Sequence, residues 1–88
     1  MHLKVGDLVQ TLSAEPLPAK EVFWDGSQWL PRRGFEFYET LNGKDILVIV
    51  ALNVNVAPFG FDVHICLTAQ GRLISMSQHY LKRYKGRP

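Results

Sequence analysis

Cysteine is nearly absent: Cys66 is the chain's one thiol. An internal disulfide is therefore excluded, and one cysteine with three scattered histidines does not make a structural zinc site. Long apolar runs are missing as well, none reaching the roughly 18 residues that a membrane span requires. The N-terminal Met-His-Leu-Lys-Val-Gly-Asp lacks the apolar core of a secretory leader. These absences point to a cytoplasmic protein without membrane attachment, held together by packing and hydrogen bonds. Charge of one sign is scarce too: ten basic against eight acidic residues leave +2, too little for a dedicated polyanion binder. The motifs of chemistry are also missing. Gly26, Gly43, Gly60 and Gly71 each fall at a predicted turn and build no phosphate-cradling loop, and no spacing suggests a metal or a cofactor.

What is present is apolar and β-branched. Hydrophobic residues make up 47% of 88, ample for one core in one domain. That domain is assigned to residues 1–84, with residues 85–88 as a loose basic tail. The stretch Ile46 to Val56 is almost entirely aliphatic and has no helix period, so it predicts the central strand of a small all-β protein.

Taken in order, Leu3 to Leu12 reads as a first strand in which Gly6-Asp7 makes a bend, letting Val5 and Leu8 both face inward. Ser13 to Ala19 carries Pro16 and Pro18 and reads as an exposed linker or edge crossing, because proline lacks the amide donor. Asp25-Gly26 suits a type I′ hairpin turn that sets Val22 opposite Trp29 and Trp24 opposite Ser27. Asn42-Gly43 is the strongest short turn signal. A two-residue loop there places Phe37 opposite Val48, Phe35 opposite Val50, Tyr38 opposite Leu47 and Glu39 opposite Ile46.

Further counts extend the pattern. A loop at Ala57–Gly60 pairs Val56 with Phe61, Val54 with Val63, Leu52 with Ile65 and Val50 with Leu67. The other face then holds Asn55 with Asp62, Asn53 with His64 and Ala51 with Cys66, which reads as a solvated face. A turn at Gln70-Gly71 sets Leu67 across from Ile74 and Ile65 across from Met76. The even residues from Ile46 to Val56 thus form the predicted inward row, and Leu47, Ile49 and Ala51 an outward apolar row in need of a cover. Ser77 is a suitable N-cap for one helical or 3₁₀ turn, with Tyr80, Leu81 and Tyr84 on one side and Lys82 and Arg83 on the other.

Short turns, a meander and a terminal single helical turn predict a small, bent antiparallel barrel, since a short sheet with one apolar face must close to bury it. In Lys4-Val5-Gly6-Asp7-Leu8-Val9, in Gln70-Gly71-Arg72 and in Leu81-Lys82-Arg83-Tyr84 the chain resembles small SH3-like barrel proteins of bacteriophages and mobile elements. The resemblance implies a fold and a mobile-element setting, and no activity. The Ala-Leu-Tyr-Asp-Tyr type stretch of signalling SH3 domains is absent, so proline-motif binding is not carried over. Ser13 to Leu41 is longer than the first loop of a minimal barrel and adds a tryptophan hairpin.

Three groups of side chains stand out. Trp24, Trp29, Arg32, Arg33 and Tyr38, beside the outward Leu47 and Ile49, form a candidate partner surface. The competing reading makes the two tryptophans a cover for Leu47 and Ile49. Lys82, Arg83, Lys85 and Arg87 form a basic cluster suited to phosphates, although such residues commonly only solubilise. His64 and Cys66 share a strand face, but no third orienting group or oxyanion hole accompanies them, so no catalytic residue is assigned. The function expected is that of a non-enzymatic module acting through protein contact or self-association, as in a homodimer. Weak nucleic-acid binding by the basic tail, with Trp24 or Trp29 stacking on bases, is the alternative.

Overall fold

Lys4 to Asp7 form the turn that launches the sheet. Gly6 takes φ +94°, a conformation glycine adopts without strain, and the Asp7 carboxylate accepts the Lys4 N–H at 2.9 Å. The computed structural model describes residues 2–12, 17–32, 39–41, 44–56 and 61–85. Strand β1 follows the turn at Leu8–Thr11, later than the strand predicted from Leu3. Val5 and Leu8 are exposed and Val9 and Thr11 turn inward instead. The glycine turn reverses the chain before β1 begins, so the two segments do not share one pleat.

Strand β2 (Leu17–Trp24) is long and takes in Pro18, which the sequence places in an exposed linker or edge crossing. At Leu17 to Ala19 its partner is β4 (Glu39–Leu41), and its pairing with β7 (Leu73–Met76) starts at Lys20. Proline is tolerated in a strand that lacks one neighbour. Strand β3 (Trp29–Pro31) returns with Trp24 opposite Trp29 and Val22 opposite Pro31. The register is two residues longer than a type I′ turn predicts. Asp25 is the reason: its Oδ1 accepts the backbone N–H of Ser27 and of Gln28, both at 2.8 Å, and holds a four-residue loop. Those N–H groups keep its carboxyl below the usual carboxylate range.

Asn42-Gly43 and the partners Phe35, Phe37 and Tyr38 lie outside the described residues. The hairpin expected there is nonetheless replaced, because β4 pairs with β2, and Leu47 and Val48 of β5 (Leu47–Asn55) pair with Val9 and Leu8 of β1. Strand β6 (Asp62–Leu67) keeps the predicted register at Asn55–Asp62 and Val54–Val63. Two irregularities then shift it, giving Ala51–Ile65, Ile49–Cys66 and Val48–Leu67. At the next turn Leu67 meets Leu73 and Cys66 meets Ile74, one residue away from the count. Thr68 explains the slip by accepting the Arg72 N–H through Oγ1 at 3.1 Å while its own N–H reaches the Arg72 carbonyl.

Ser77 caps a 3₁₀ turn over Gln78–Tyr80, its Oγ accepting the His79 N–H. Leu81 does not continue that turn. It opens β8 (Leu81–Arg83), which pairs with β1. The strands run in the order β3-β2-β7-β6-β5-β1-β8, with β4 beside β2, in one open all-β sheet. A single bridge from Trp29 to Val56 brings the β3 end against the end of β5.

Both faces of the sheet are packed in its middle. The larger core joins Val9, Leu47, Ile49, Cys66, Ile74 and Leu81, with Ala19 and Leu41 from the opposite end of the path. The smaller core holds Val22, Val56, Val63 and Ile65 under Trp29. Strand β5 feeds both, with Leu47 and Ile49 in the first and Val50, Ala51 and Val54 packed against the second. The predicted orientation of its first half is therefore inverted. Leu47 and Ile49 are fully buried, whereas Ile46 is 38% exposed and Val48 and Val50 only half-buried. Two shifts of one residue each cancel in the alternation, so the inversion comes from packing on both faces of β5, with the odd row of its first half taken into the larger core. His64 and Cys66 are buried, so the face predicted to be solvated turns inward at those two residues, whereas Asn53, Asn55 and Asp62 on it are exposed as expected.

Candidate functional site

The register of β1 with its two neighbours defines a surface. Val9 and Thr11 point into the larger core, so Leu8, Gln10 and Leu12 point away from it. The matching outward residues beside it are Val48 of β5, opposite Leu8, and Ile46 just before that strand. On the β8 side they are Lys82, opposite Gln10, and its flanking neighbours Tyr80 and Tyr84. Backbone bonds hold those two beside β1: the Leu12 N–H donates to the Tyr80 carbonyl at 2.8 Å and the Tyr84 N–H to the Leu8 carbonyl at 2.7 Å. Six of these eight positions are apolar. Leu12 is 56% exposed, Tyr80 53% and Leu8 43%. This patch continues the face that Trp29 covers over β6 and β7, but nothing among the described residues covers it over β1.

The predicted partner surface divides. Leu47 and Ile49 belong to the core and offer nothing to a partner. Arg33 and Tyr38 lie outside the described residues. Trp29 is half-buried on the smaller core and caps Val56 and Ile65, not Leu47 and Ile49. Trp24 leans on it, with ring centroids 5.5 Å apart and planes tilted by 59°, and is itself 53% exposed. Arg32 pairs with Glu21 at 3.5 Å and lies 5.6 Å from the centre of the Phe23 ring, which engages it locally. One measurement separates the two indoles. Trp24→Phe, which keeps Trp29, should emit at shorter wavelength and resist acrylamide, whereas Trp29→Phe should leave red-shifted, readily quenched Trp24 emission.

The basic cluster divides as well. Arg83 donates through Nη2 to the His2 carbonyl at 2.7 Å and to Asp7 Oδ2 at 3.3 Å, stitching the N-terminal segment to β8. Asp7 titrates below the usual carboxylate range, first because of the Lys4 N–H and then because of Arg83. Lys82 and Lys85 are exposed, and Arg87 lies outside the described residues. Trp24, on β2, and Lys82, on β8, belong to strands that are not neighbours in the sheet.

His64 and Cys66 do share a face of β6, but burial pushes the thiol up to about 12 and pushes the imidazole down. His64 Nδ1 accepts the Asn53 N–H at 3.1 Å and so is not free to act as a base toward the sulfur. Among the described residues no helix is long and apolar enough to cross a membrane. The outward face of β1, β5 and β8 was missed in the sequence because Val48 and Ile46 were counted as core. Its signal was present in the alternation Leu8, Gln10, Leu12. No family model matches the chain, and no curated protein or solved structure does so either.

Proposed function

We propose that the chain is a small SH3-like module that works by self-association, docking the outward face of β1, β5 and β8 on the same face of a second copy. The observation carrying this reading is the apolar row Leu8, Leu12, Ile46, Val48, Tyr80 and Tyr84, four of them exposed and Val48 and Tyr84 half-buried, with no cover among the described residues. Such a patch can pair with itself about a two-fold axis, where each side meets its own equivalent. The net charge of +2 sets up little repulsion between copies. Burying the remaining exposed surface of these side chains gains roughly 1 kcal/mol each, counted on both copies, against an association cost of about 4–15 kcal/mol. A micromolar dimer is the outcome at the low end of that cost.

The SH3-like assignment draws support from the turn at Gly6-Asp7, the Gly71 turn, and the 3₁₀ turn that leads into a last strand paired with the first. The mobile-element setting goes with that resemblance. Sedimentation velocity at micromolar concentration tests the association. The expected result is a dimer that Leu8→Lys with Leu12→Lys converts to monomer without lowering the thermal midpoint, since both residues are exposed. A wild-type monomer across that range, or a double variant as dimeric as the parent, removes the proposal.

A further inference from the structure

All three histidines of the chain line one cleft of about 290 Å³, although they stand far apart at positions 2, 64 and 79. Lys82, Gln78 and Asn53 line it with them, beside an apolar wall of Leu3, Leu52 and Leu81, and no carboxylate among the described residues does. Leu3 and Leu52 pack against the larger core, so the cleft opens from one end of it. His64 is the nearly buried member, 3% exposed. Because its Nδ1 accepts the Asn53 N–H, the neutral ring carries its proton on Nε2, and the nitrogen left for a ligand is a donor. Asn53 holds φ +49°, alone among the described residues other than glycine in taking a positive value. It lies where the β5–β6 register shifts. The backbone N–H that would serve a regular ladder thus orients an imidazole instead. A strained residue, a bulge and a ring fixed in one tautomer, all at one cleft, mark a binding site more than a packing solution.

We propose that this cleft binds a small organic carboxylate, its oxyanion held by the His64 Nε2–H with Lys82 and His79 and its short apolar body set against Leu3, Leu52 and Leu81. The chemistry of the lining selects the class. Imidazole, amide and ammonium groups all donate hydrogen bonds, and without a lining carboxylate an anion meets no repulsion. A metal ion is the rival occupant for three imidazoles. Among the described residues, however, no three His, Cys, Asp or Glu side chains are placed to hold one, and the Lys82 ammonium opposes a cation. The volume is at the small end for ligand pockets, which restricts the acid to a few carbons.

Titration of ¹⁵N-labelled protein with acetate, isovalerate and inorganic phosphate, followed through the histidine ring correlations, tests the site. Saturable shifts at His64 and His79 are expected. Isovalerate should bind about tenfold tighter than acetate because its extra carbons leave water, and phosphate should bind more weakly than isovalerate. Lys82→Ala should weaken isovalerate by about tenfold, and His64→Phe should abolish its binding. Lys82 and His79 are exposed, so Lys82→Ala and His79→Ala keep the test sound even if His64→Phe fails to fold. The proposal is overturned by linear, unsaturable shifts with both carboxylates, by phosphate binding tighter than isovalerate, or by both exposed variants binding like the parent.

Discussion

Replacing Leu47 with alanine should cost the fold about 3–4 kcal/mol, the middle of the range for a fully buried leucine whose cavity the surroundings only partly refill. Leu47 has no exposure and sits among Val9, Ile49, Cys66 and Leu81 in the larger core. The neighbouring Ile46→Ala should cost under about 1 kcal/mol, because that side chain already faces water and loses only part of its burial. Urea unfolding of the two variants measures the difference directly. Adjacent residues on one strand differ this much only if they point to opposite faces. Equal costs, or a larger one at Ile46, would return Leu47 to the outward row and with it the earlier candidate surface. For a chain of this size a loss of 3 kcal/mol is a large share of the total stability, so the experiment is best run below room temperature.

The second large effect concerns Cys66. Alkylation of the native protein at pH 8 should be at least about a thousandfold slower than that of the urea-unfolded chain, since the buried thiol reacts only through opening events that expose it. Two causes combine. The side chain has no exposure, and desolvation pushes its pKa from 9.0 up to about 12, so the nucleophilic thiolate is nearly absent while the strand stays paired. The same shift ties stability to pH. The folded thiol holds its proton above the pH at which the unfolded one releases it, so the contribution is intact below pH 9 and is lost as pH rises from there toward about 12. Cys66→Ala should therefore lose less stability than the parent across that alkaline window. Rapid alkylation of the native state, or identical alkaline slopes, would place the thiol at the surface.

Local chemistry was readable from the chain, and the choice of face was not. Gly26 and Gly71 mark real turns, Ser77 caps a real 3₁₀ turn, and the pairs Val54–Val63 and Asn55–Asp62 fall where counting from the turn puts them. Alternation failed where both rows are apolar. From Ile46 to Val50 every residue is aliphatic, so either row fits a core, and the selection was made by β1, a partner distant in sequence. On β6 the residues Val63 to Cys66 are all buried, and a strand packed on both sides carries no record of which side matters more. The two bulges in β5 were invisible for the same reason. Asn53 did carry a signal, since asparagine tolerates a left-handed backbone better than other residues bearing a side chain. That signal gains its meaning from His64, which the count from the turn already sets opposite Asn53 and whose Nδ1 accepts the Asn53 N–H. The cleft was out of reach altogether, because no local pattern relates His2, His64 and His79.

The pairing of the first strand with the last has a consequence for biosynthesis. Val9 and Thr11 face Arg83 and Leu81, and Arg83 ties the His2 carbonyl and Asp7 to that strand. Translation delivers β1 early, but its outer neighbour only after every other strand has been made. Until Leu81 clears the ribosome, the larger core is open along one side and β1 is a bare edge. Acquisition of the native state by this segment therefore waits for β8, governed by contacts of wide sequence separation that form slowly, and a nascent chain stalled before Leu81 would present its leucines to chaperones rather than to a finished sheet.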